Sequence, residues 1–200
     1  MVMHLIAAPG VPGVPGAPPC AGLAPGVATE VRLTDGATVY LRDACADAPR
    51  LREMFFTLSD TTRFFYFCAG VPRNDIWAER VARLSIADGY TSYAMVAEAG
   101  GKLVGVARFD RDKQGSRAEI GILVTDAWQS RGLGRQMLAR LHAEATGRAL
   151  TGFTALVLGE NRRAMRLLRG AFPTMQASFS YGQFTIDMPF APESVPARER

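Results

Sequence analysis

The chain is poor in the residues that build metal sites and disulfide frameworks, with 3 cysteines and 2 histidines in 200 residues. Cys20, Cys45 and Cys68 form no Cys-x-x-Cys pair, and with His4 and His142 they make no ligand spacing suited to zinc. They read as buried or incidental thiols in a reducing compartment, and no metal is expected. Lysine is nearly missing too, at Lys102 and Lys113 only, so the net charge of +4 rests on arginines interspersed with acids along the whole chain. A dense basic tract with interleaved aromatics is absent, which argues against a specific nucleic-acid partner and leaves an anionic small ligand as the other source of a basic balance. No apolar run approaches the ~20 residues of a membrane span. Residues 1–10 lack the charged start and small-residue cleavage site of a secretory signal, so a cytoplasmic location without membrane attachment is expected.

What is present suits one globular domain: 48% of residues are hydrophobic, enough for a full core at this length. Prolines and glycines crowd the start, as Pro9-Gly10, Pro12-Gly13, Pro15-Gly16, Pro18-Pro19 and Pro25-Gly26. Proline removes backbone donors and glycine raises the entropy lost on ordering, so residues 1–29 read as a flexible arm. Residues 191–200 read as a second flexible tail, leaving 30–190 as the folded domain. Within it, 31–33 and 38–42 flank an Asp35-Gly36 turn. Asp47 is placed to cap a helix over 48–58 that carries Leu51, Met54, Phe55 and Leu58 on one face. Helices follow after Asp60 and over 75–87, then strands over 93–98, 103–109 and 117–124. Helix returns over 132–147, a short apolar strand spans 154–158, helix restarts at Asn161, and 179–188 closes with one or two strands. The order is that of an α/β protein on a mixed sheet, with hairpins early and a crossover helix late.

The segment from Ala118 to Arg135 carries the chemistry. An apolar strand feeds a turn, and the loop Gln129-Ser130-Arg131-Gly132-Leu133-Gly134 opens an amphipathic helix. The first turn of a helix has unpaired N–H groups and a partial positive charge, which suits an anion. Gly132 and Gly134 let a pyrophosphate approach the backbone, and Arg131 and Arg135 add charge from the rim. Two glycines at a helix start also fit simple close packing, and the hexapeptide alone does not separate the two. No Gly-Lys-Ser/Thr follows, and the third glycine of a dinucleotide fingerprint is missing. Strand alternation sets Glu119 opposite Ile120 and Ile122, facing either solvent or a cleft. The aromatics Phe64, Phe65, Tyr66 and Phe67 suit either core packing or the lip of a substrate site. Glu144 and His142 lack a second ligand cluster and read as a solvated helix face.

Gln129-x-x-Gly132-x-Gly134, between a strand and a helix, resembles the Gln/Arg-x-x-Gly-x-Gly/Ala signature of the GNAT acetyltransferases, and the likeness extends over about 30–190. Within that superfamily the chain is most similar to the bacterial Pat-like protein lysine acetyltransferases. The similar stretches are LTDGATVYLR at 33–42, LSDTTRFFYF at 58–67, VGVARF at 104–109, AEI at 118–120 and ENRRAMRLL at 160–168. The resemblance implies a GNAT fold, a single domain on a mixed, mostly antiparallel sheet flanked by helices, with acetyl-CoA as cosubstrate and no metal. It implies that the backbone of Leu123 and Val124 pairs with the pantetheine arm. It assigns the pyrophosphate to the loop of Gln129, Ser130, Arg131, Gly132, Leu133, Gly134 and Arg135. Asn161 matches a cofactor-contacting position, and a helix N-cap is its alternative.

Glu119 matches the strand on which GNAT enzymes often carry their general base. A free lysine, with a pKa of ~10.4, is almost wholly protonated at neutral pH and must lose a proton before attacking a thioester. The implied reaction is direct transfer of an acetyl group from acetyl-CoA to a primary amine, a protein lysine on a partner such as an acyl-CoA synthetase. The alternatives are a small-molecule acetyltransferase acting on an aminoglycoside, polyamine or amino acid, and a non-catalytic acyl-CoA-binding regulatory module. Two departures stand out. Leu168 occupies the place where many GNAT enzymes have a tyrosine that protonates the leaving thiolate, and Gly170-Ala171-Phe172 replaces the usual Leu-Gly-Phe.

Overall fold

The computed structural model describes residues 28–84 and 87–190, together with 2–3; for residues 2, 3 and 84 the backbone alone is described. The remainder of the expected N-terminal arm, the expected tail and the end of the third expected helix lie outside these residues. The elements are β1 (Val2–Met3), β2 (Thr29–Arg32), β3 (Thr38–Asp43), α1 (Ala48–Phe56), α2 (Asp60–Phe67), α3 (Asp75–Leu84), β4 (Ser92–Ala99), β5 (Lys102–Arg111), β6 (Arg117–Val124), α4 (Leu133–Gly147), β7 (Gly152–Leu158), α5 (Arg162–Ala171), β8 (Gln176–Ser180) and β9 (Gln183–Pro189). A short 3-10 turn, Asp126–Trp128, leads from β6 toward α4.

Eight strands form one sheet in the order β2-β3-β4-β5-β6-β7-β9-β8, and β1 pairs onto β6. Every pairing is antiparallel except β6–β7, which is parallel. A parallel neighbour requires a crossover, and α4 supplies it. The fold is therefore the mixed, mostly antiparallel α/β sheet expected, and the final region resolves into two paired strands, β8 and β9.

Alternation along the central strands sorts side chains to two cores. Ile120, Ile122 and Val124 face α4 and α5, where Leu133, Met137, Leu138, Leu141, Met165 and Leu168 complete the larger cluster. Leu123 and Val106 face the other way, toward Leu51, Met54 and Phe55 of α1, Tyr66 and Phe67 of α2, and Ala78 and Val81 of α3. The sheet is thus sandwiched between two helical layers. Gly105 on β5 sets how closely α4 approaches: a Cβ there would lie 3.1 Å from Met137 Sδ and 3.2 Å from the Leu123 carbonyl. The aromatic run on α2 divides by face, with Tyr66 and Phe67 in the core, Phe65 half-buried and Phe64 exposed. His142, read as part of a solvated face, is half-buried: its ring packs edge-on against Phe153 and Phe190, and burial lowers its pKa. Cys68 is a free, half-buried thiol, pushed up to about 11 by burial, whereas Cys45 is disulfide-bonded and departs from the expectation of incidental thiols.

Asp47 sits at the N-cap of α1, yet its carboxylate makes no capping bond. It accepts two hydrogen bonds from Arg42, at 2.7 and 2.8 Å, and one from the Cys45 amide at 3.0 Å. Arg42 and Arg50 both reach on to Glu98, tying α1 to β3 and β4. Burial acts to raise the Asp47 pKa, but Arg42, the Cys45 amide and Arg50 outweigh it and hold it below the usual value. At Asp88 burial is likewise outweighed, by bonds from Thr91, Ser92 and Tyr90, and the pKa falls to about 2. Carboxyls whose folded pKa lies below the unfolded value stabilise the fold above that value and lose the contribution as pH drops through the folded one. Stability measured by circular dichroism should therefore hold down to about pH 4 and fall between about pH 4 and 2. Asp47→Ala, which strands Arg42 beside a buried gap, should cost about 2 kcal/mol in urea unfolding, less than a fully buried pair because both arginines keep some contact with water.

Candidate active site

The site begins where β6 and β7 part. Only Arg117, Ala118 and Glu119 pair with β7, opposite Gly152, Phe153 and Thr154. Beyond them β6 runs on to Val124 and β7 to Leu158 without facing each other. β5 holds the other edge of β6 as far as Val124. The parting thus leaves β6 with a backbone edge open to an extended chain. In this structure the backbone of β1 lies antiparallel along it, Met3 opposite Ile122 and Val2 opposite Leu123. The carbonyl of Val124 accepts a hydrogen bond from Gln129 Nε2 at 3.0 Å. Leu123 and Val124, the two expected pantetheine contacts, therefore both lie on this edge, and both engage protein groups here.

The loop that follows has the backbone shape of an anion cradle. Ser130 and Gly132 take left-handed conformations, φ 61° and 89°, and Gly132 stands at the N-cap of α4. A Cβ at Gly132 would meet Thr34 Cγ2 at 3.2 Å as well as the unfavourable φ. The Arg135 amide closes back onto the Gly132 carbonyl at 3.0 Å. The amides of Arg131, Gly132, Leu133 and Gly134 meet no backbone acceptor among the described residues. The Ser130 amide likewise has no backbone acceptor there, whereas the Arg135 amide, expected with its neighbours to face the pyrophosphate, is engaged within the loop in this structure.

Side chains of the loop behave differently from expectation. Arg131 is pinned by the Asp35 carboxylate and stacks over Trp128, 4.3 Å from the ring centroid, and the Thr34 amide donates to its carbonyl at 3.1 Å. It anchors the β2–β3 turn to the loop and is not a free rim charge. Gln129 donates to Thr62 Oγ1 and the Val124 carbonyl, both at 3.0 Å, and accepts from Arg163 at 3.2 Å. Arg135 is exposed on the first turn of α4. Asn161 is buried at the N-cap of α5, its Oδ1 accepting from the Ala164 amide at 3.2 Å. The capping alternative for Asn161 is realised in this structure.

Glu119 is half-buried at the last paired position before the strands part, on the face that β6 turns toward α2. Its register neighbours are Asp110 on β5 and Thr154 on β7. Arg108 grips Asp110 with Nε at 2.8 Å and with Nη2, and Arg117 pairs with Asp187 on β9. Tyr66 of α2 is buried, and its phenol is pushed up to about 12 by that burial, with Arg108 and Asp110 as the charges acting on it. Leu168, at the position of the missing tyrosine, is wholly buried in the larger core. No group of three or more His, Cys, Asp or Glu side chains that could hold a metal occurs among the described residues. A cavity of about 1130 Å3 between the length of α4 and the end of α5, lined by His142, Phe172 and Phe190, lies on the face away from Glu119.

Sequence reasoning missed Ser59, Thr62, Asp126 and Arg163, whose polar atoms join α2 and α5 to the loop. The Ser59-Asp60 start of α2 was a readable cap, but nothing in the sequence tells which carboxylate, 67 residues away, would meet it.

Residues 53–171 match the acetyltransferase (GNAT) family model. The chain belongs to the GNAT family. Among solved structures the GNAT domain of S. lividans Pat is similar, at 28% identity with a TM-score of 0.72, over 82% of this chain and 97% of that one. The putative acetyltransferase yncA from Salmonella typhimurium, solved with acetyl-CoA, shares the fold at 18% identity with a TM-score of 0.58, over 80% of this chain and 98% of that one. A cAMP-binding acyltransferase from Mycobacterium smegmatis has a TM-score of 0.57 at 21% identity, over 86% of this chain and 50% of that one. No curated protein matches. As a member of the GNAT acetyltransferases, this chain is an acyl-CoA-dependent N-acyltransferase, the family's acetyl donor being acetyl-CoA. No helix among the described residues is long and apolar enough to cross a membrane.

If the loop cradles the coenzyme A pyrophosphate, Gly132→Ala should weaken coenzyme A binding about tenfold in calorimetry and cost about 1–2 kcal/mol of stability from the forced φ. Unchanged affinity in a folded variant would move the phosphate elsewhere.

Proposed function

We propose that the chain transfers the acetyl group of acetyl-CoA to a lysine side chain of a protein, by direct attack with Glu119 as general base. The position of Glu119 carries this reading: it is the last residue of β6 still paired to β7, at the mouth of the parting that would admit the thioester. A carboxylate there can take a proton from the ammonium, directly or through water, as the amine turns toward the carbonyl carbon. The nitrogen then forms a bond to that carbon, the carbon–sulfur bond breaks to release the thiolate, and the second proton that the new amide nitrogen sheds passes to water. No cysteine or serine lies within β6 to hold an acyl intermediate, which favours a ternary complex over a covalent relay. Leu168 offers no proton, so water supplies the one the thiolate takes up.

The donor would lie with its pantetheine along the β6 edge and its pyrophosphate over the open amides of residues 131–134. Because β1 lies along that edge here, pantetheine would replace it there. A protein lysine is preferred as acceptor on the resemblance to the Pat-like group, supported by the 28% identity to the S. lividans Pat GNAT domain over nearly all of that domain. An acyl-CoA synthetase is the natural first partner to try, in the cytoplasm.

Glu119→Gln should lower kcat/KM by about 10²–10⁴-fold while acetyl-CoA binding stays within a few-fold of wild type. Wild-type turnover in that variant would remove Glu119 from the chemistry. Acceptor choice is separated by assaying an acyl-CoA synthetase beside polyamines and aminoglycosides. Acetylation confined to the small amines would sink the lysine assignment, and acetyl-CoA binding without any turnover would favour a regulatory module.

A further inference from the structure

Asp126, in the turn between β6 and the loop, accepts three hydrogen bonds from the start of α2. The Ser59 amide donates to Oδ2 at 2.9 Å, Ser59 Oγ to Oδ1 at 2.5 Å, and Thr62 Oγ1 to Oδ1 at 2.7 Å. Ser59 in turn caps α2, its Oγ accepting from the Thr62 amide at 3.1 Å. Thr62 Oγ1 accepts from Gln129 Nε2, and Gln129 is held on its other side by the Val124 carbonyl and Arg163.

Every proton in this set has one direction. Each hydroxyl donates once, to Asp126, and accepts once, from Thr62 N–H or from Gln129. The Gln129 amide has both ends assigned, so flipping it would set donor against donor at Arg163 and acceptor against carbonyl at Val124. A network with a single polarity transmits position well, because no member can rotate away without breaking two bonds. Its two ends differ in role. One end is the loop with the open amides; the other is α2, whose next turn carries Tyr66 toward Arg108 and Asp110, the latter in register with Glu119.

We infer that Asp126 is a positioning residue that fastens the start of α2 to the donor loop, so that filling the loop with coenzyme A fixes α2 over Glu119. This rests on the reading of residues 129–135 as the donor phosphate site. Asp126 touches neither the amine nor the thioester; it acts through Ser59 and Thr62. Donor and acceptor sites are then coupled, and a coupling between two bound ligands works equally in both directions.

Asp126→Asn keeps the shape but leaves one acceptor where there were two, so its NH2 group faces either the Ser59 amide or the two hydroxyls that donate there. Thr62→Val removes the hydroxyl between Gln129 and Asp126 and leaves the Ser59 contacts. The test is hydrogen exchange of a peptide covering residues 60–67, with and without saturating coenzyme A, on the full chain. Calorimetry with coenzyme A runs alongside on each protein. In wild type, coenzyme A should slow exchange of α2 about fivefold or more, and both variants should lose most of that slowing while binding coenzyme A within about threefold of wild type. A merely structural Asp126 would raise exchange equally with and without coenzyme A. Wild-type α2 that ignores bound coenzyme A overturns the inference, as do variants that respond like wild type. Should Asp126→Asn fail to fold, Thr62→Val decides. Failure of wild type to bind coenzyme A at all would overturn the donor-site reading as well, which keeps the two apart.

Discussion

The parting of β6 from β7 is the constraint around which the molecule is arranged. Three rungs of parallel pairing end at Glu119 and Thr154. Past that point Ile120, Ile122 and Val124 on one strand, and Ala155 and Val157 on the other, still sink into one core against α4 and α5. Packing beneath the sheet therefore holds both strands firmly while their backbones separate. A gap that opens inside a sheet, rather than at its rim, leaves amides and carbonyls that need partners, since buried backbone groups are nearly always paired. Here β1 provides them along Ile122 and Leu123. Any ligand that takes this place must be extended and must carry its own amides, as pantetheine does. Under the proposed donor mode, recognition through backbone would ask little of the strand's side chains beyond apolar residues on the core side, with Glu119 kept for the chemistry.

That economy decides what could be read from the amino-acid sequence. Local signals were legible. The Asp35-Gly36 turn, the apolar strands β4 to β6 and the loop at 129–134 each follow from neighbours a few residues apart, and each appears where expected. What stayed hidden was always a partner whose approach the fold decides. Asp47 has the chemistry of a cap and the position of one, yet Arg42, a charged donor five residues earlier, outcompetes the helix amides for its oxygens. Arg131 reads as a charge for phosphate until Asp35, brought in by the β2–β3 turn, is seen beside it. Asn161 carried two meanings that one residue type satisfies equally, and its bond to Ala164 expresses one of them here. Periodicity reports which face of an element is buried, but not which of several polar groups on another element will meet it.

Charge tells the same story from the other side. The basic balance comes from arginine, but Arg42, Arg63, Arg108, Arg117, Arg131 and Arg140 are each paired with an aspartate. Most of these pairs are partly buried, and four of them join separate elements: β3 to α1, β6 to β9, the β2–β3 turn to the donor loop, α4 to β3. Arginine suits this work because a planar fork can grip a carboxylate at two points and keeps its charge when half-buried. In these six pairs the positive charge serves internal structure.

The arginines left exposed are placed against ordinary preference. Helix N-termini favour carboxylates, because the first-turn amides carry a partial positive charge. Neither α4 nor α5 has an acidic residue in its first turn; α4 carries Arg135 there, and α5 opens with Arg162 and Arg163. The bond from Arg163 to Gln129 ties the two helix starts to the same loop. Each cation near a helix start is unfavourable by about 0.3–1 kcal/mol at low salt, and nothing in the packing of these exposed positions demands arginine. The exposed arginines thereby add positive charge around the open amides of the loop, a setting that suits a polyphosphate better than a neutral ligand. On that account part of the affinity for an anionic donor comes from relieving repulsion already present in the free protein. Added salt screens that repulsion before any donor arrives, which is why the affinity should weaken as ionic strength rises.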